Sequence, residues 1–452
     1  MSFPTPAQDD SRQRLDRLSE LARDVLRLCA ARGASQAEVL LNEDRGLSVG
    51  VRLGEVETVE RTRDRSLAVT VYFGRRKGNA STADLQPGSL QATVEQACAI
   101  ARHTEPDPAH GLADAERMAG ELREFDGWHP WPLEVEAAIA LAVEAETAGR
   151  EADPRVCNSE GANLSSSESL SVYANSHGFL GPERGSSHYL GLSLIAGRGE
   201  GMQRDYWYTS ALAPEDLEAP AAVGRRAAER VVARLSPRPV KTGQYPVLFV
   251  PETARSLIGH LLAAASGGAL YRQASFLLGA LGRRILPPWF GLAERPHLMR
   301  GLRSSCFDAE GVATADADIV REGVLERYLL SSYSARKLGM QSTGHAGGVT
   351  NLVATANASG YAELLAGLDR GLVVTELMGQ GANTVTGDYS RGAAGFWVEN
   401  GAIVHPVDEV TIAGRLQDIF PAIEAVGADV DRRSHIGIGS VLVGRMTVAG
   451  QG

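Results

Sequence analysis

The sequence is short of several things, and each shortage removes a class of function. It has only 4 cysteines in 452 residues. Cys29, Cys98, Cys157 and Cys306 lie far apart with no CxxC spacing. That argues against a disulfide framework or a zinc ribbon and suits free thiols in a reducing compartment. No run of about 18 apolar residues occurs, so no membrane-spanning helix is expected. The first residues, MSFPTPAQDDSRQ, are polar and lack an apolar signal core, and the expected location is cytoplasmic. Positive charge is also in deficit. The chain carries 45 Lys and Arg against 55 Asp and Glu, a formal net charge of −10. This balance argues against a nucleic-acid partner or an anionic membrane surface.

The catalytic motifs that can be read locally are missing too. The ten histidines form no HxH or HxxxH pair, and no GxSxG elbow occurs. Gly379–Gly381 and Gly344–Gly348 are glycine loops, but neither has the Walker lysine or the dinucleotide spacing after a strand.

What is present is ordinary globular composition, 44% hydrophobic and 22% charged, with a high 50 glycines that points to tight turns and a β-rich part. At this length two or three domains are expected. Residues 12–32 show helical spacing through Leu15, Leu18, Leu21, Val25 and Cys29, closed by Gly33. Strands are predicted at 37–42, 46–61 and 66–73, with a hairpin turn at Gly54-Glu55. Helices follow at 88–102 and 132–148, separated by a Pro- and Gly-broken connection over 103–130 with a short helix at 113–122. A strand meander is expected over 155–209, with turns at Gly161 and at Gly181-Pro182, and then a helix over 214–235. Ser236-Pro-Arg-Pro239 is the best domain boundary. It divides an N-terminal α/β region, 1–235, with a possible subdivision near 103–130, from a C-terminal β-rich domain, 240–452. The fold class read from this pattern is α+β, a helix-flanked β-sheet domain followed by a mostly β domain.

The second half is organised around a strand, Tyr245–Val250, and a helix over 251–268. Leu257, Ile258, Leu261 and Leu262 lie on one side of that helix, and it carries one histidine, His260. A hydrolytic zinc site needs three protein ligands and an open position. The residues five and four positions before His260 are Arg255 and Ser256, and neither can ligate zinc or act as a general base. Strands are expected at 319–331 (a hairpin), 371–377, 395–399, 402–406, 409–414 and 440–448, with helices at 361–371 and 416–425. Glu399-Asn-Gly401 reads as a hairpin turn. The densest polar and glycine cluster is Gln380–Gly395, taken as a loop. Its Asp388, Tyr389, Ser390 and Arg391 are cleft candidates, with His345 in a loop of similar character as a further one; a solvated loop has the same composition.

Several ordered stretches resemble the TldD/TldE family, and within it the TldE (PmbA) branch. They are Pro246–Phe249, Gly259–Leu261, Gly267–Arg272, Ser275–Leu277, Phe307–Gly311, Leu329–Leu338, Ser342–Gly348 and, most fully, Gly371–Asn400. Gly74–Leu85 and Arg204–Ser210 are similar more loosely, so the resemblance spans the chain. It implies a place in a heteromeric zinc peptidase that acts on unfolded peptides or leader peptides. Catalytic TldD-type members carry a His-Glu-x-x-x-His helix and a distant cysteine as zinc site. By resemblance these positions fall on Arg255, Ser256 and His260, and on Ile436–Ser440, which contains no cysteine. The implied role is therefore a non-catalytic subunit that binds no zinc itself, with the zinc in a TldD-type partner. A homodimer in isolation is a further expected assembly. The other readings are a stand-alone hydrolase built on His345, Asp388 and Ser390, and a regulatory binding protein of gyrase-modulator type.

Overall fold

The computed structural model describes residues 10–450. Their contacts group into two units. One runs up to Ala196 and adds Arg204–Val231 and Ser305–Thr314; the other holds Gly197–Gln203, Val232–Ser304 and the chain from Ala315 onward.

The first unit is a six-stranded sheet with helices packed on it. α1 (Ser11–Ala31) buries Leu18, Ala22, Val25 and Cys29, which recur at intervals of three and four and so share one face. β1 (Gln36–Arg52) and β2 (Glu55–Phe73) form one long hairpin. Leu53 and Gly54 both take positive φ at its tip, the turn geometry that matches strand twist. β3 (Arg76–Thr82) pairs with the C-terminal part of β2, and α2 (Pro87–His103) follows. α3 (Val135–Glu151) packs on β1 and on β4 (Val156–Asn175), which pairs in turn with β5 (Leu180–Ala196). β6 (Gln203–Ala211) completes the order β3-β2-β1-β4-β5-β6, before α4 (Pro220–Ala233). A single core joins α1 and α2 to the sheet through Val39, Leu41, Val69, Val94 and Val172. The segment Ser305–Thr314 adds Phe307, whose ring lies edge-on to Phe179 at 5.2 Å.

The second unit centres on β7 (Gly243–Phe249). Val247, Leu248 and Phe249 are all fully buried, so the strand reads as a continuous apolar run without alternation. β7 pairs in parallel with β12 (Arg370–Met378) and antiparallel with β17 (Val441–Ala449). β13 (Asp388–Glu399) and β14 (Ala402–Arg415) continue from β12, and β14 pairs with β17. The circuit β14-β13-β12-β7-β17 is thereby closed into a barrel, which leaves no free edge on those strands. β15 (Ile423–Val426) is appended to β17.

Five short strands form the other sheet: β8 (Leu292–Glu294), β9 (Ala317–Arg321), β10 (Val324–Leu325), β11 (Leu352–Ala354) and β16 (Ile436–Gly437). α5 (Pro251–Ala265) sends Leu257, Ile258, Leu261 and Ala264 into the core that also holds Phe249, Leu372, Val374 and Ile412. α6 (Gly267–Tyr271), α7 (Ser332–Leu338), α8 (Tyr361–Ala366) and α9 (Leu416–Ile419) are short. The α+β class, with a helix-flanked sheet first and a mostly β part second, is what the fold shows. No described helix is long and apolar enough to cross a membrane.

Several local expectations need correction. The 113–122 helix is only a single turn at Ala115–Arg117. The 214–235 helix starts at Pro220, and the 416–425 helix stops at Ile419. Gly161 and Gly181-Pro182 are not turns but lie within β4 and β5, where Gly161 takes φ +108° at a register shift. The expected loop 380–395 contains the first half of β13. Its glycines hide the strand. Gly395 sits at a bulge where a Cβ would fall 1.8 Å from the carbonyl oxygen of Val373, so only glycine permits that approach.

Candidate functional site

α5 begins at Pro251, whose missing N–H costs nothing at the first helical position. Thr253 anchors the first turn by donating its hydroxyl to the carbonyls of Val250 and Val374, at 3.0 and 2.9 Å. The helix stops at Ala265 rather than at Gly268, and Ser266 caps α6 by accepting from the N–H of Ala269. Gly267 is required by packing: a Cβ there would lie 2.1 Å from Ser334 Oγ.

Glu252 and Arg255 stand three residues apart, on one side of the helix. Both engage the segment that precedes β16. Arg433 donates to Glu252 Oε1 at 3.0 Å and to Asp431 Oδ1 at 2.7 Å. Arg255 lies 3.5 Å from Asp431 Oδ2. Two acids and two arginines thus form a charge-balanced chain, Glu252–Arg433–Asp431–Arg255, with Asp431 9% exposed. Ser256 donates its hydroxyl to the Thr253 carbonyl at 2.7 Å, within its own helix. β16 itself lies against α5. The tertiary fold therefore brings the 436–440 stretch toward the helix, with Ile438 and Ser440 buried there. Ser440 is held by Asp429, to which it donates through both its N–H and its hydroxyl. His435, next to β16, has its basicity lowered by burial and by the nearby Arg303 and Arg255.

His260 is half-buried, and its Nε2 is buried with no hydrogen-bond partner among the described residues. Its ring meets Tyr389 edge-on, with centroids 5.7 Å apart. Burial, and then the charge of Arg391, push the imidazole below its ordinary pKa, so it is neutral at pH 7. Burial pushes the Tyr389 phenol up to about 12.

A zinc ion does not fit this arrangement. Zinc takes three or four donors from His, Cys, Asp or Glu. Among the described residues no three such groups converge. The cation Arg391 acts on His260, and the guanidinium of Arg255, on the same helix, is paired with Asp431. A second positive charge beside either group is electrostatically unfavourable.

The cleft candidates have different surroundings. Asp388 and Ser390 are exposed on β13; Asp388 accepts from the Thr386 hydroxyl at 2.6 Å. Arg391 is half-buried and acts on His260. Between them, Tyr389 points the other way and is buried. His345 is buried elsewhere in the unit. Its Nε2 lies 2.7 Å from Glu294 Oε2, and its Nδ1 lies 2.9 Å from Thr343 Oγ1. Burial alone would raise the Glu294 carboxyl, but His345 and Thr350 outweigh it and hold it low. His345 therefore shares no hydrogen bond or ion pair with Asp388 or Ser390 among the described residues. A pocket of about 430 Å³ does lie at the end of α5, lined by Leu262, Ser266, Gly268, Arg303 and the 345–348 loop.

Sequence reasoning missed Glu252, Asp431 and Arg433. The pair Glu252 and Arg255 was visible as a helical i, i+3 face. Its partners were not, because they come from a segment 176 to 181 residues away.

Comparison with known proteins places this geometry among relatives. Three family models match in succession: PmbA/TldA metallopeptidase domain 1 at residues 37–101, the central domain at 128–235 and the C-terminal domain at 242–450. The metalloprotease PmbA of Escherichia coli O157:H7 is 47% identical over 434 residues, covering 96% of each chain. The PmbA homologue of Haemophilus influenzae is 47% identical over 422 residues, covering 93% of this chain and 94% of its own. A solved structure of a candidate DNA gyrase modulator from Bacteroides thetaiotaomicron superposes with a TM-score of 0.92 at 28% identity, over 96% of this chain and 99% of that one. TldE from Thermococcus kodakarensis shares the fold at a TM-score of 0.83 and 20% identity, over 95% of this chain and all of its own.

Proposed function

The chain belongs to the PmbA/TldD metallopeptidase family, on its PmbA/TldE branch, and from that premise we propose that it is the non-catalytic subunit of a heteromeric TldD/TldE zinc peptidase that acts on unfolded peptides or leader peptides. The observation that carries this reading is the ion pair between Arg255 and Asp431. Resemblance puts the first zinc ligand of catalytic members at Arg255 and the general base at Ser256. Here the arginine is committed to a carboxylate and the serine to its own helix. His260 is left with a cation for a neighbour. Activating water on zinc requires a coordination shell that these side chains do not supply.

The contribution of the subunit is then structural and recognitive. On this reading α5 corresponds to the catalytic helix of TldD-type members, and its C-terminal end lines a pocket of about 430 Å³. That volume suits part of an extended peptide. Zinc and the chemistry belong to the TldD-type partner.

Purification of the chain alone, with zinc content measured and an unfolded peptide as substrate, tests the proposal. The expected result is substoichiometric zinc and no cleavage, with cleavage gained on adding a TldD-type subunit. Stoichiometric zinc with chelator-sensitive cleavage by the chain alone would overturn it.

A further inference from the structure

The pocket of about 430 Å³ at the C-terminal end of α5 is built within the second unit alone, from the end of α5, the start of α6 and the loops that hold Arg303 and His345. It is at the small end of ligand pockets, which run from about 300 to 1,000 Å³. A space of that size suits the end of a peptide better than a long stretch passing through.

The lining is apolar in one part and basic in another. Leu262, Leu329 and Val349 supply the apolar wall. The polar part contains Arg303 and no Asp or Glu. Glu294, which His345 meets at 2.7 Å, is thereby already engaged.

Arg303 is fixed through its backbone, whose N–H donates to Asn351 Oδ1 at 2.9 Å. Its guanidinium spends one contact on the Val349 carbonyl, from Nη1 at 3.4 Å. It has no carboxylate partner among the described residues. Arginine carries five N–H donors in a planar fork that matches a carboxylate. Most of this fork is unspent. A Cβ on Gly348 would stand 3.9 Å from Arg303 Nη1, so a longer side chain there would crowd the guanidinium. A second guanidinium reinforces the charge. That of Arg272 lies 3.5 Å from the place a Cβ on Gly268 would take, and Gly268 is part of the lining.

The remaining polar groups are of two kinds. The hydroxyls of Ser266 and Ser334 are spent within the protein, on the carbonyls of Ala263 and Ser331 at 2.8 and 3.1 Å. The N–H groups of Gly347 and Val349 have no hydrogen-bond partner among the described residues. The pocket thus offers a cationic fork and amide donors beside an apolar wall. A matching ligand has a singly charged pair of acceptor oxygens attached to an apolar body. The last residue of a peptide has both. Inorganic phosphate lacks the apolar body, and an internal residue lacks the main-chain carboxylate.

We propose that this pocket captures the free C-terminal carboxylate of a peptide, with Arg303 as the pairing cation and Leu262, Leu329 and Val349 around the last side chain. Capture of a terminal carboxylate by clustered donors is a recurring recognition mode. The proposal rests on the reading of this pocket as a peptide site and narrows it to one end of the peptide.

The test uses the full-length chain by itself and fluorescence anisotropy of a short unfolded peptide that ends in Leu and carries a dye at its N-terminus. The peptide is made as the free acid and as the C-terminal amide. The acid is expected to bind about tenfold more tightly, the factor that one charge-assisted hydrogen bond supplies. Arg303→Ala should bring the acid down to the affinity of the amide and leave the amide unchanged. Arg303→Lys should recover part of the preference, because lysine keeps the charge but not the fork. Both variants should melt like wild type, since the side chain makes no ion pair among the described residues. Ala263→Trp is an independent check. Ala263 is exposed on α5 and lines the pocket, so an indole there fills the space and should abolish binding of the acid. Equal binding of acid and amide, no binding of either, or an acid preference that survives Arg303→Ala and Ala263→Trp would each refute the proposal. Calorimetric binding of inorganic phosphate, with acid and amide bound alike, would refute it too and assign the pocket to a phosphate-bearing ligand. None of these outcomes touches the subunit proposal, which zinc content and cleavage with a TldD-type subunit decide.

Discussion

Arg255 and Asp431 form an ion pair at 3.5 Å between α5 and the segment that leads into β16. The same carboxylate takes Arg433, which reaches on to Glu252. This network joins α5 to the segment ahead of β16 through side chains alone, with arginine and carboxylate holding the two elements together.

If Arg255 is architectural, Arg255→Ala should be mild. The guanidinium side chain is 31% exposed and Arg433 still neutralises Asp431. A loss of about 1 kcal/mol or less is expected in urea unfolding. Peptide cleavage by the chain reconstituted with a TldD-type subunit should stay within about twofold of wild type, since an architectural residue supplies no transition-state contact. A loss of activity without loss of stability would place Arg255 in the chemistry.

His260 should make the protein less stable in mild acid. Burial and Arg391 lower its pKa in the folded state. As pH falls through about 6.5, the unfolded chain takes up a proton that the folded chain does not. Stability then declines with falling pH. His260→Gln cannot titrate, so the difference in unfolding free energy between wild type and variant should shift against wild type from pH 7.5 to pH 5. A pH-independent difference would show that the imidazole is not held neutral.

Glu43 ties together three arginines of the first unit. It accepts from Arg14 at 2.9 Å, Arg65 at 3.0 Å and Arg45 at 3.2 Å. Arg14 and Glu43 are only 2% and 4% exposed. Removing one partner of a buried pair leaves the other charge uncompensated, so Glu43→Ala should cost about 3 kcal/mol at neutral pH. Burial raises the Glu43 carboxyl, but the arginines outweigh it and its pKa is lowered in the fold. Its contribution is therefore present above the ordinary carboxylate range and fades as pH falls through it. Chemical denaturation at pH 7 and pH 4 should show the gap between variant and wild type narrowing in acid.

His345→Ala tests a structural role against a catalytic one. The substitution removes the ring that lies 2.7 Å from Glu294, a carboxylate 4% exposed. A destabilisation of about 3 kcal/mol is expected at pH 7. It should shrink toward pH 5, where the freed Glu294 can be protonated, and thermal unfolding across that range would show it. An unchanged melting temperature would mean that the pair carries no structural weight.

Gly267→Ala should destabilise by about 2 kcal/mol, because the new methyl falls 2.1 Å from Ser334 Oγ, with Ser334 Cβ at 2.5 Å behind it. An ordinary unfolding curve would show that α6 can shift away from α7.

The long elements were legible in the chain because their patterns are local. The spacing of Leu18, Val25 and Cys29 sets α1, and the apolar run of β7 identifies a buried strand. The Asn400-Gly401 turn was also legible, since Asn-Gly readily takes positive φ at both positions, whereas the first hairpin turns one residue earlier than the expected Gly54-Glu55, at Leu53-Gly54. β13 was obscured by Gly387, Gly392 and Gly395, which dilute the two-residue period that buries Tyr389 between exposed Asp388 and Ser390.

By itself the sequence determined that the helix of His260 carries an arginine at 255 and a serine at 256, because side-chain chemistry is fixed by residue type. Only the tertiary structure decided what surrounds them. Asp431, Arg433, Tyr389 and Arg391 reach α5 from segments more than a hundred residues away, and burial then sets their charges and those of His260. Residue types along a chain limit which chemistry is possible; which charges face each other depends on the barrel closing and on β16 coming to lie against the helix.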